Sequence, residues 1–432
     1  MKRKVITLPV KEGYLTALEK HFQGKTYLVL NSNDWPEQYD QVIAADTIDD
    51  FTQTSGDIFE GLQNYHNQKK DWLFGYLSYE LKNRLEHLNS NNPDFLDFPD
   101  IYFFRPRFLM LVKEGEILIQ FHDNKDNNAQ VTVLINLLKK EHQKPQQLKL
   151  LPIQKITQKI SKQEYIEKIK GIKTHIQKGD IYEMNFCQEF YSKNTNFQPA
   201  DFYFRLNEIS PMPFSCYLHH NNKFLLCASP ERYLRKIGNK IISQPIKGTI
   251  RRGVDPTEDL ILIKELRESQ KEKSENVMIV DLVRNDLSRT ASRGSVNVEE
   301  LFKIKSFSQV HQMISTISSE LKPGLGFTEV LKTTFPMGSM TGAPKVRAME
   351  IIEEFETTKR GLFSGSVGYI TPDGDFDFNV VIRSILYNSL NKYLSFMIGG
   401  AITIHADAEK EYEECMLKAK AIFMALNYTE KV

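Results

Sequence analysis

Apolar residues recur at Tyr165, Ile166, Ile169, Ile172 and Ile176, the spacing of one helical face, in a run that opens at Ser161, with Glu164 three residues on, and stops at Gly179. This pattern predicts an amphipathic helix between a capping box and a glycine stop. Residues 72–79 and 101–112 are apolar runs of buried-strand type, and residues 181–190 read as another strand. Segments 224–228, 232–237 and 240–246 are also strand-like, with Gly238-Asn239 supplying a tight turn of positive φ between the last two. Glu231 lies seven residues before Gly238 and Lys247 eight after Asn239, so both fall near the open end of this hairpin and can face one pocket. A one-residue slip in register would turn them to opposite faces, and Pro245 interrupts regular pairing.

Polar residues mark two further helix starts. Asp255-Pro256-Thr257-Glu258 combines a cap, a first-position proline and a glutamate three residues after the cap, which predicts one long helix carrying Glu272 and Glu275 a turn apart. Asp407 caps a second helix on which Glu411, Glu414 and Lys418 share a face. Between Asn124 and Gln147 the chain is rich in Asn, Gln and Lys, which places a seam near residue 150 and divides the chain into an N-terminal region, 1–150, and a core, 151–432.

Composition narrows the partners. With 41% hydrophobic residues the 432-residue chain can bury a large core, and 56 Lys plus Arg against 55 Asp plus Glu removes the electrostatic case for a nucleic-acid or anionic-membrane binder. Cys187, Cys216, Cys227 and Cys415 lack paired metal-type spacing and read as buried thiols of a reducing compartment. No stretch approaches membrane-spanning length, and the expected location is cytoplasmic.

The candidate chemistry lies in Gln244-Pro245-Ile246-Lys247-Gly248-Thr249, where a lysine sits beside a glycine that permits close approach. Such an amine is a nucleophile if burial lowers its pKa and a fixed cation if not, while taken alone it is also an ordinary strand-end lysine. Two helices each offering a carboxylate pair would suit Mg²⁺ if they faced one cleft, although glutamates a turn apart among lysines are more often charged surface. The loop Gly338-Ser339-Met340-Thr341-Gly342-Ala343-Pro344-Lys345 fits either an anion site or a plain helix entry.

In this order, GDIYEMNFCQ (179–188), SPERYL (229–234), PIKGT (245–249), SENVMIVDLVRNDLSR (274–289), GSMTGAPKVRAME (338–350), SGSVGY (364–369), VIRS (381–384), GGAI (399–402) and EYEECMLKAK (411–420) resemble the chorismate-utilising enzymes over roughly residues 150–430. That family includes the large subunits of aminodeoxychorismate and anthranilate synthases and the isochorismate and salicylate synthases. The resemblance implies an α+β fold of the anthranilate synthase component I type, with large antiparallel β-sheets and helices packed outside. It implies Mg²⁺ held by Glu275 and Glu414 with support from Glu272 and Glu411, and Glu231 as the general acid for the C4 hydroxyl of chorismate. Arg383, Lys418 and the backbone at Gly248, Gly399 and Gly400 would hold the substrate carboxylates, with Thr249 and Tyr369 also on the substrate side. Lysine at position 247, where anthranilate synthases carry alanine, marks the branch that aminates C4 and implies a covalent lysine adduct at C2.

Glu183 occupies the position of the general-base lysine of isochorismate synthases and departs from the glutamine of the ammonia-using branches. Gln312 stands where many members have histidine, with His311 beside it. No Leu-Leu-Glu-Ser feedback element and no cysteine-nucleophile glutaminase unit is recognisable, so ammonia is expected from solution or from a separate glutamine amidotransferase in a heterodimer. The competing readings are anthranilate synthase component I, which Lys247 opposes, and a chorismate-binding protein without catalysis.

Overall fold

The computed structural model describes residues 3–142, 153 and 155–428. Twenty described strands form one connected, wholly antiparallel pairing network. From the strand Glu183–Ser192 it runs through Tyr393–Thr403, Ser384–Asn388, Lys223–Ser229, Phe214–His220, Tyr27–Asn31 and Gln41–Phe51 to Ile101–Lys113. The first residues of Ile101–Lys113 pair with Leu73–Leu77. From there the network continues through Ser366–Ile370, Phe376–Asn379, Arg232–Ile237 and Lys240–Gln244 to Val310–Glu320, which Ile246–Arg251 and Asn297–Ser306 also join. Helices cover the sheet faces, Ala408–Ala425 lying on Tyr393–Thr403 and Gln270–Ser288 on Ile246–Arg251 and Val310–Glu320. This is the expected α+β arrangement.

The seam expected near residue 150 lies outside the described residues. On either side of it the strands interleave: Tyr27–Asn31 pairs with Phe214–His220, and Leu73–Leu77 with Ser366–Ile370. Both hydrophobic clusters likewise mix the two parts, Phe108 packing in one with Ile169 and Phe396, and Phe74 in the other with Leu234 and Phe378.

Local signals account for most elements. The helix Lys162–Lys178 carries the full capping box, with Glu164 N–H donating to Ser161 Oγ at 3.2 Å and Ser161 N–H to Glu164 Oε2 at 2.6 Å, and it stops at Gly179 with φ 82°. The hairpin pairs Ile237 with Lys240, but of its two turn residues only Gly238 is left-handed (φ 58°). The helix that starts at Asp255 is shorter than expected. It ends at Glu268, and a second helix, Gln270–Ser288, carries Glu272 and Glu275. Ser269 makes the break: its backbone is extended (φ −60°, ψ 113°) and its hydroxyl accepts from the Glu272 N–H, so it closes one helix and caps the next. All four cysteines are buried and unpaired, and no described helix is long and apolar enough to cross a membrane.

Candidate active site

The two ends of the strand network meet at one open cavity of about 910 Å³. Glu183–Ser192 and Tyr393–Thr403 supply one wall and Ile246–Arg251 the opposite one, while the helices Gln270–Ser288 and Ala408–Ala425 close a third side. Pairing between Ile246–Arg251 and Val310–Glu320 slips between Ile246 and Thr249, so Lys247 and Gly248 form an irregularity. Gly248 there has φ 101°, and a Cβ on it would lie 3.1 Å from Glu272 Oε2 and 3.3 Å from Met313 Cβ. The left-handed backbone requires the glycine, and Glu272 would have to draw back by a few tenths of an ångström from a Cβ placed there. The helix is tied to this strand, as Asn276 Nδ2 donates to the Lys247 carbonyl at 3.1 Å and Ser315 Oγ donates to Asn276 Oδ1 at 2.6 Å.

The Lys247 side chain reaches into the cavity wall with 14% of its surface exposed, its Nζ 3.4 Å from Glu183 Oε2 and 3.6 Å from Glu275 Oε2. Burial opposes the ammonium, but Glu183 and Glu275 outweigh it and hold the pKa above the ordinary lysine value. The site thus holds Lys247 as a cation rather than with the lowered pKa of a free amine nucleophile.

Glu231 has the opposite character. It is buried, and desolvation raises its pKa to about 7 against the opposing hydrogen bond from Ser339. Ser339 Oγ donates to Glu231 Oε1 at 2.6 Å. A carboxyl that is largely neutral below pH 7 in a cavity wall is equipped to give up a proton. The loop at 338–345 meets the cavity through Ser339 and Met340, whereas Lys345 is withdrawn into an ion pair with Asp286 at 2.6 Å.

Glu272, Glu275, Glu411 and Glu414 all line the cavity, which brings the two helical carboxylate pairs together. Burial and then Glu414 push Glu411 up to about 7, burial and then Glu275 raise Glu272, and Lys418, 2.8 Å away, holds Glu414 down. Lys271 spans the pairs, 3.9 Å from Glu275 Oε1 and 3.6 Å from Glu411 Oε1. These hard oxygen donors are of the type Mg²⁺ takes, yet among the described residues no three acidic, histidine or cysteine side chains gather closely enough to hold a metal ion.

Arg383 also lines the cavity, its backbone left-handed (φ 51°) and its guanidinium without a hydrogen-bond or ion-pair partner among the described residues. Burial lowers its pKa to about 10 against the pull of Glu414. Lys418 Nζ donates to the Gly399 carbonyl at 3.1 Å. A Cβ at Gly399 would lie 2.0 Å from the Phe186 carbonyl, and one at Gly400 would lie 3.4 Å from both Glu411 Oε2 and Lys418 Nζ.

Gly248, Thr249, Arg383, Gly399, Gly400 and Lys418 thus share the cavity with Lys247 and Glu231, but Tyr369 does not. Strand pairing sets Tyr369 opposite Phe74, and its ring packs on Phe74 and Trp72 beside a second cavity lined by Glu37, Phe214 and Asp377. Its expected place on the substrate side is corrected by this position. Gln312 lines the main cavity and donates to Thr249 Oγ1 at 3.4 Å, while the fully buried His311 is turned away toward Asp259 and Ser306. Ser339, Lys271 and Asn185 are cavity residues that no residue-type signal singled out, although Ser339 and Asn185 lie within the motifs quoted above.

The sequence pattern of chorismate binding enzymes matches residues 24–424, extending the resemblance well into the N-terminal third. Anthranilate synthase component 1 of Aquifex aeolicus is 33% identical over 85% of this chain and 77% of its own length, and aminodeoxychorismate synthase component 1 of Bacillus subtilis is 33% identical over 83% and 77%. A probable chloroplastic aminodeoxychorismate synthase of rice is 42% identical over 60% of this chain, which spans only 29% of the rice protein. The fold matches that of anthranilate synthase component I from Streptococcus pneumoniae with a TM-score of 0.78, at 24% identity over 90% of this chain and 92% of that one. The chain belongs to the family of chorismate binding enzymes.

Proposed function

We propose that this enzyme aminates chorismate at C4, giving 4-amino-4-deoxychorismate, the precursor of 4-aminobenzoate and folate. The observation that carries the reading is the placement of Lys247 and the neutral-leaning Glu231 on one cavity. In this mechanism the Lys247 amine, once free of its proton, bonds to C2 of the ring. The two ring double bonds shift toward C4, the C4–O bond breaks, and Glu231 donates the proton with which the hydroxyl leaves as water. Ammonia then bonds to C4, the double bonds shift back, and the C2–N bond to Lys247 breaks. Occupation of C2 by the lysine directs ammonia to the position para to the ring carboxylate.

Arg383, Lys418 and the backbone at Gly248, Gly399 and Gly400 hold the two substrate carboxylates in this reading, and Thr249 adds a hydroxyl. Mg²⁺ would be held by Glu275 and Glu414, two carboxylates and waters being enough for this ion, with Glu272 and Glu411 supporting it through water; there it would bind the ring carboxylate and neutralise the acidic cluster. Ammonia comes from a glutamine amidotransferase partner or from solution, in keeping with the component naming of the Bacillus relative.

The second reading is amination at C2, which the Aquifex relative favours. Incubation with chorismate, Mg²⁺ and ammonium, with the product read by mass and fluorescence, separates the two. The expected product is 4-amino-4-deoxychorismate, and anthranilate as the main product would overturn the assignment. Chorismate binding without turnover would point to a non-catalytic role.

A further inference from the structure

The geometry points to Glu183 as the positioning residue of Lys247, a carboxylate whose task is to fix the amine against the cavity; this rests on the reading of Lys247 as the group that meets the substrate. Glu183 is 2% exposed, and among the described residues its carboxylate has Lys247 as its sole hydrogen-bond or ion-pair partner, at 3.4 Å. Glu275, the other carboxylate beside Nζ, is shared with Lys271 and stands in the acidic cluster. When that cluster is engaged by ligands, Glu183 is the partner that remains.

The two backbones differ in a way that gives this pair a direction. Glu183 is clamped between two strands, opposite Ala343 on one side and Thr403 on the other, and a Cβ on the neighbouring Gly342 would lie 2.3 Å from the Glu183 carbonyl oxygen. Lys247 sits where its own strand loses register, ahead of the left-handed Gly248. A long lysine side chain samples many rotamers, and it is the fixed partner that selects one of them. Strand alternation puts Glu183 on the same face as Asn185 and Cys187, which line the cavity, whereas Glu183 stands behind the amine rather than on the cavity surface.

A buried lysine–glutamate pair is a weak device for stability, because desolvating both charges offsets their attraction. Its contribution here is position, and misplacing a reacting group by about 1 Å can cost about 10²-fold in rate. Chemically this differs from a lysine at the same place, which would activate water, and from a glutamine, which offers an acceptor without charge.

The test compares E183A and E183Q in the full chain with chorismate, Mg²⁺ and ammonium, alongside the ¹⁵Nζ resonance of Lys247 assigned by its loss in K247R. With E183A, kcat is expected to fall about 10²-fold while the chorismate KM stays within about threefold, and the slowly exchanging Nζ signal is lost. E183Q keeps an acceptor in place and is expected to restore the signal and most of kcat. An unchanged kcat in E183A, or a loss of kcat with the Nζ signal intact, would overturn the proposal. If E183A does not fold, E183Q decides: a lost signal or a KM rise matching the kcat loss overturns it. Anthranilate as the wild-type product would sink the C4 reading alone, since the Nζ signal still reports the pairing.

Discussion

Ser339 Oγ donates to Glu231 Oε1 at 2.6 Å, so the carboxyl proposed to protonate the leaving hydroxyl is itself held by a hydroxyl from the loop before the helix Lys345–Phe355. The bond favours the ionised form and opposes the desolvation that raises Glu231 to about 7. A general acid acts in its protonated form, so the Glu231-dependent activity should be full below pH 7 and fall as pH rises through about 7. Ser339→Ala removes the donor, raises the pKa further and is expected to move that limb about one to two units upward, as a charge-assisted hydrogen bond of about 1.5–3 kcal/mol requires. The kcat against pH profile is the measurement. A limb that stays in place would show that the hydroxyl does not tune the acid.

Lys247→Ala should impair turnover far more than chorismate binding, and it should also leave a pH signature in stability. Glu183 already has a raised pKa, first from burial and against the pull of Lys247; without the lysine it rises further. A carboxyl whose folded pKa is raised stabilises the fold below its unfolded value and loses that contribution as pH rises through the folded one. The variant is therefore expected to be near wild type at pH 4.5 and weaker at pH 8, by about 3 kcal/mol if the buried carboxylate finds no other partner. Denaturant unfolding at the two pH values checks this, and an equal loss at both would place the cost in packing.

Much of this site was legible because single residues with strong local chemistry recur at fixed spacings. Glu272 with Glu275 and Glu411 with Glu414 are each a turn apart, and both pairs reached the same cavity. What spacing does not encode is where a helix stops: the Ser269 break depends on whether a hydroxyl caps the next turn or faces water, and the wholly polar run 267–276 carries no apolar period that could mark it. Tyr369 was misplaced for a similar reason. Its side is set by the register of Ser366–Ile370 on Leu73–Leu77, a long-range pairing with no local signature. Ser339 was hidden because a serine in a glycine-containing loop has several ordinary uses, and only proximity to Glu231, 108 residues earlier, distinguishes it.

Arg383 and Tyr369 make a paired test of which cavity receives the substrate. The Arg383 guanidinium faces the main cavity without a hydrogen-bond or ion-pair partner among the described residues, so Arg383→Ala is expected to raise the chorismate KM about 10- to 100-fold, the loss of one charge-assisted contact, with little change in unfolding free energy. Tyr369→Phe removes a hydroxyl beside the second cavity and should leave that KM within about twofold. Steady-state kinetics on both variants reads the contrast directly. A KM effect confined to Tyr369→Phe would move the substrate to the second cavity.

Glu411 supplies the test of the acidic cluster. Burial, and after it Glu414, push its pKa up to about 7, so near neutral pH a large part of the population carries a proton there. Coordination to a divalent cation requires the ionised form, and binding at this cluster must therefore release protons. Calorimetric titration with Mg²⁺ in two buffers of different ionisation enthalpy should give a release of about half a proton per ion near pH 7, shrinking toward zero by pH 9. Glu411→Gln should remove the larger share of the pH-dependent part while leaving Glu272, Glu275 and Glu414 in place. A binding enthalpy independent of buffer at pH 7 would mean that the ion, wherever it binds, does not engage Glu411.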